Sequence, residues 1–137
     1  PEKNRRRFRS DIVEKKHGPV EVEKQVDALL VKADQLLATA EQTPDRTGVY
    51  ENCRAAVRHL LEAYLLALEE NTSPLTNLAF DQLWEKCVAL DPEILPLVAN
   101  VRLFLDEPGT ITTEEEAEIV IDAANELWDF IFDSLHE

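Results

Sequence analysis

Imidazole is the side chain that gains and loses a proton nearest neutrality, so acid–base and metal chemistry are sought first at His17, His59 and His136, the three histidines of the sequence. His59 closes the string Arg54-Ala-Ala-Val-Arg58-His59, in which a guanidinium precedes an imidazole with four residues between them. Such a pair could neutralise a phosphate and move a proton beside it, which is what a metal-independent ribonuclease needs. On a continuous helix, residues five apart diverge by about 140°. Arg54 and His59 are therefore expected as polar residues on the exposed edge of their helix, with catalysis by the pair as the alternative.

The remaining candidates are weaker. Glu14 and His17 have the Glu-x-x-His spacing of di-iron bundles, but that site needs a second such pair, which the sequence lacks. His59 and Glu62 share a helix face in the reverse order, the pattern of a surface hydrogen bond. No metal site and no cofactor are expected. Cys53 and Cys87 fall on apolar stripes in contexts that do not lower a thiol pKa, and read as small buried hydrophobes. Three scattered glycines cannot build a phosphate-cradling loop. The run Glu114-Glu115-Glu116 points in three directions about 100° apart, so it is a solvated helix start rather than an acid pair. Trp84 and Trp128 sit on core stripes.

The elements that must position these residues are helical. Residues 49–68 (VYENCRAAVRHLLEAYLLAL) are apolar at Val49, Cys53, Ala56, Val57, Leu60, Ala63, Tyr64, Ala67 and Leu68, with Leu61, Leu65 and Leu66 widening the stripe. A helix of that kind needs neighbours on several flanks and is expected at the centre of the domain. Before it, Val20 to about Gln42 repeats apolar residues with helical period, ending at Thr43 as a cap and Pro44 as the first residue of the next element. A third helix is expected from Asn77 to about Leu90, and a fourth from Glu93 to about Leu105, capped by Asp91-Pro92 and distorted near its start by Pro96. After the loop 106–110, Thr113 and Glu116 have capping-box spacing and open a last helix. Its main stripe runs from Ala117 to Leu135. Ile119, Ala123 and Phe130 form a narrower apolar strip opposite, which either lies within the core or forms a dimer interface; the dimer is favoured.

Charge divides the chain. Its net charge is −14. Residues 1–17 carry seven bases and three acids, a charge of +4, leaving −18 on the body. Residues 1–18 are thus a basic N-terminal arm and 19–137 one helical-bundle domain. Arg5, Arg6, Arg7 and Arg9 around Phe8 could hold RNA phosphates or a protein partner, or fold onto an acidic body. The acidic body itself repels a phosphate backbone. No apolar run approaches the roughly 18 residues of a membrane span. With no leader pattern and no disulfide framework, a cytoplasmic location without a membrane partner is expected.

From Val20 to Leu135 the layout resembles a HEPN domain, the nucleotide-binding family of higher eukaryotes and prokaryotes. The resemblance rests on Tyr50-x-x-Cys53-x-x-Ala56-Val57-x-x-Leu60-Leu61-x-Ala63-Tyr64-Leu65-Leu66-Ala67, on a short Pro74-bearing link, on Leu83-x-x-x-Cys87-x-x-Leu90-Asp91-Pro92, and on Thr113-Glu114-Glu115-Glu116-Ala117. It implies a four- to five-helix up-and-down bundle, a homodimer, and a place in toxin–antitoxin, antiviral defence or RNA-related systems, often beside a nucleotidyltransferase partner. Catalytic members of the family carry Arg-x(4–6)-His in the later helices, where this sequence has Arg102 and no histidine before His136. The resemblance therefore implies a non-catalytic nucleotide- or protein-binding module.

Overall fold

The computed structural model describes residues 20–43, 45–69, 78–105 and 113–135. They form five α-helices: α1 (Val20–Gln42), α2 (Arg46–Glu69), α3 (Phe80–Leu90), α4 (Val98–Leu105) and α5 (Glu114–Leu135). A 3₁₀ helix, Pro92–Leu97, leads into α4. The protein is an all-α helical bundle, with no strand among the described residues.

The central position of α2 follows from its side chains. Every residue from Leu60 to Leu66 is buried, including Glu62, so this part of the helix has no solvent face. It packs along α1 and α5 and against α3. The apolar face of α1 (Val22, Val26, Leu30, Ala33, Leu37, Ala40) closes on one flank of it. Each fully buried leucine of this core contributes about 1.5–3 kcal/mol of transfer free energy.

Helix starts are set by local acceptors. Asp45 Oδ2 accepts from the Gly48 N–H (3.2 Å) and Asp45 O from the Val49 N–H (3.0 Å), so Asp45, rather than the expected Thr43, caps α2. Thr43 instead donates its hydroxyl back to Thr39 O (2.6 Å), and Pro44 lies outside the described residues. Helix α3 begins at Phe80, later than the expected Asn77, where the Ala79 N–H donates to Gln82 Oε1 (2.8 Å). Asp91 accepts from the Glu93 N–H (3.2 Å), as its Asp-Pro sequence predicts. Pro96, which has no N–H to give an α-helical bond, falls within the 3₁₀ segment, and the α-helix resumes only at Val98. Thr113 Oγ1 accepts from the Glu116 N–H (3.0 Å) at the head of α5.

Contacts give the directions. The start of α3 lies against Arg54 and Arg58 and its end against Leu61 and Tyr64, so α3 advances in the same sense as α2. Helix α5 also runs parallel to α2: its head shares a cleft with Val49, while Phe130 meets Tyr64. As α1 and α2 form a hairpin, α1 begins and α5 ends at one pole of the bundle, opposite that cleft.

The strip expected on α5 as a dimer interface is not one surface. Ala123 is buried, its carbonyl taking the Asn100 side chain of α4 at 3.2 Å, and Phe130 is half-buried with its ring edge-on to Tyr64, 6.1 Å between centroids. Ile119 alone is open, at 52% exposure. Neighbouring elements of the same chain therefore cover two of the three residues. The main stripe is buried from Val120 to Leu135, with Ala117 at its head only half-buried and Trp128 stacked on Phe132 at 5.7 Å.

Candidate functional site

The polar residues of α2 lie along one edge at four-residue intervals. Tyr50, Arg54 and Arg58 each donate to a backbone carbonyl later in the chain. Tyr50 Oη donates to Leu103 O (3.2 Å), Arg54 Nε to Phe104 O (3.1 Å) and Arg58 Nη2 to Leu78 O (2.7 Å). The first two acceptors belong to the last turn of α4, where carbonyls have no partner within their own helix. Arg54 also places its guanidinium carbon 4.8 Å from the centroid of the Phe80 ring, and Tyr50 sets its ring 5.7 Å from that of Phe104. A charged donor to a carbonyl contributes about 1.5–3 kcal/mol. This row of donors therefore anchors the end of α4 and the approach to α3 on the central helix.

Glu62 forms the second half of the site. Its carboxylate is buried in the otherwise apolar stretch of α2, where an unpaired charge would be very costly. Oε2 accepts from Arg58 Nε at 3.0 Å, and Oε1 faces His59 Nδ1 at 3.2 Å. In the tautomer that donates Nδ1–H to this oxygen, Nε2 is the ring nitrogen that can accept a proton. His59 and Arg58 are each partly exposed.

The geometry does not join the two candidate catalytic residues. Arg54 is bound to Phe104 O and the Phe80 ring, while His59 is bound to Glu62. The guanidinium that shares a carboxylate with His59 is that of Arg58. The donor row was not anticipated from sequence: its spacing is visible in Tyr50, Arg54 and Arg58, but its acceptors are backbone atoms 20 to 53 residues away. The basic arm with Arg5, Arg6, Arg7, Phe8 and Arg9, the pair Glu14 and His17, and His136 lie outside the described residues.

Burial raises the pKa of three other titratable groups. Burial, with smaller contributions from Glu69 and Asp91, pushes the Cys87 thiol up to about 12. It is therefore not a nucleophile near neutral pH. Its Sγ lies 3.6 Å from Leu61 O, and Cys53 is likewise buried and in no disulfide. Burial and the hydrogen bond to Asp91 hold the Tyr64 phenol above its ordinary range. On α1, burial and then the neighbouring Glu23 raise Asp27 to about 6. Among the described residues no cluster of His, Cys, Asp and Glu could hold a metal ion, and no helix is long and apolar enough to cross a membrane.

One cleft stands apart from this edge. Where α1 ends and α2 and α5 begin, Ala40, Val49, Ala117 and Ile121 form the floor of an open cavity of about 360 Å³. No family model, curated protein or solved structure matches the chain.

Proposed function

We propose that the protein is a HEPN-like, dimeric helical module that acts by binding, as a non-catalytic nucleotide- or protein-binding partner in a prokaryotic toxin–antitoxin, defence or RNA-related system. The observation that carries the non-catalytic part is the commitment of Arg54. Its Nε and its flat face are both engaged, by Phe104 O and Phe80, so the guanidinium of the sequence motif works as a clamp between helices. The resemblance of the helical layout supports the family reading, and the body charge of −18 supports a partner with basic groups. Light scattering at micromolar concentration tests the dimer: a mass near twice 15.6 kDa that persists at moderate salt is expected, and a clean monomer sinks the dimeric reading.

A second reading, a metal-independent ribonuclease, is favoured by one observation. Glu62 Oε1 lies 3.2 Å from His59 Nδ1, so the carboxylate orients the ring through one nitrogen while Nε2 is the other, the geometry that a general base uses. RNA cleavage that is unchanged in His59→Ala removes this reading.

A further inference from the structure

The cleft at the joint of α1, α2 and α5 is acidic at its mouth. Glu41, Glu114 and Glu118 line it together with Arg46, around the apolar floor already described. An anion is the wrong ligand here, since Thr113 already caps the head of α5 and three glutamates follow it. The mouth suits a cation that also carries apolar surface. The chain supplies such a segment itself: Arg5-Arg6-Arg7-Phe8-Arg9 has four guanidiniums around one aromatic ring and lies in the +4 arm outside the described residues. Its reach is sufficient. The first 20 residues of α1 rise about 30 Å at ~1.5 Å each, from Val20 to the cleft. The backbone from Val20 back to Arg9 spans up to about 36 Å when extended, and back to Arg5 about 50 Å.

We propose that residues 5–9 of the chain dock in this cleft of the same molecule, with arginines against Glu41, Glu114 and Glu118 and Phe8 over the apolar floor. The docked arm keeps its arginines from other anions, so the cleft regulates whether they can meet a phosphate. The inference stands whether or not the bundle is HEPN-like or dimeric.

The test uses the full chain and a Glu114→Lys/Glu118→Lys variant, both residues being exposed in the first turns of α5. Trypsin cleavage after Arg6 and Arg9 is followed by mass spectrometry, with circular dichroism as the check on folding. Cleavage tracks the undocked population. At low salt the arm of the variant is expected to be cut about tenfold faster than that of the native chain, a difference that disappears near 1 M salt, where the screening length falls to about 3 Å. Adding Arg5→Glu and Arg7→Glu to the variant is expected to restore protection of Arg6 and Arg9. Equal cleavage of native and variant arms at low salt overturns the proposal. Protection that grows with protein concentration overturns it too, by showing that the cleft takes a neighbour's arm.

Discussion

Arg54 shows how a residue that looks reactive in sequence can be structural in the fold. Arg54 reaches both a last-turn carbonyl of α4 and the Phe80 ring at the start of α3. Arg54→Ala is expected to cost about 2–3 kcal/mol, from the lost charged hydrogen bond and the lost ring contact, measured as a fall in the urea midpoint at unchanged slope. Arg54→Lys should recover little of it, since an ammonium lacks the planar face that lies on Phe80. Asp27 gives a prediction about pH. Its carboxyl titrates near 6 in the fold against about 3.9 in an unfolded chain, so the native state holds the proton more tightly. The stability linked to that proton is complete below pH ~4 and is lost as pH rises through about 6. Asp27→Asn is expected to raise the urea midpoint at pH 7 and to leave it nearly unchanged at pH 4. A midpoint that moves equally at both values would remove this account of Asp27.

At the scale of elements, the joint between α3 and α4 depends on Asp91. One oxygen caps the 3₁₀ helix through the Glu93 N–H, and the other receives the Tyr64 hydroxyl from α2. Asp91→Ala is expected to cost about 2–4 kcal/mol, the sum of a lost cap and a buried hydroxyl without its acceptor. Tyr64→Phe alone should cost about 1 kcal/mol, and the double variant should show coupling of about 1 kcal/mol or more in a thermodynamic cycle. The cap at Asp91 was legible in the sequence because Asp-Pro acts over two residues, and so was the cap at Thr113. The long stripes of α1, α2 and α5 were legible for a related reason, since helical periodicity repeats many times within each of them. What lay beyond reach was whatever depends on a second element. The partition of Ile119, Ala123 and Phe130 is decided by where Asn100 and Tyr64 fall, and the carbonyl targets of Tyr50, Arg54 and Arg58 carry no side-chain signature at all. The displacement of the α2 cap from Thr43 to Asp45 is a smaller case, in which two plausible acceptors compete within one short link.

For the molecule as a whole, charge opposes folding while the core drives it. With a net charge of −14 on 137 residues, self-repulsion is relieved in the expanded chain, and screening should favour the compact state. Raising salt from about 20 to about 200 mM, which shortens the screening length from roughly 20 to 7 Å, is expected to increase the urea midpoint. A constant or falling midpoint would show that attractive pairs such as Arg58–Glu62 outweigh the general repulsion. The parallel course of α2 and α5 has a mechanical consequence. Because α1 starts and α5 finishes at one pole, a force that draws Val20 and Leu135 apart acts across the helix contacts instead of along them. The outer helices would peel from α2 a turn at a time, so the bundle should yield at low force despite its continuous core, whereas a load applied between the cleft and the opposite pole would have to shear whole helix interfaces at once.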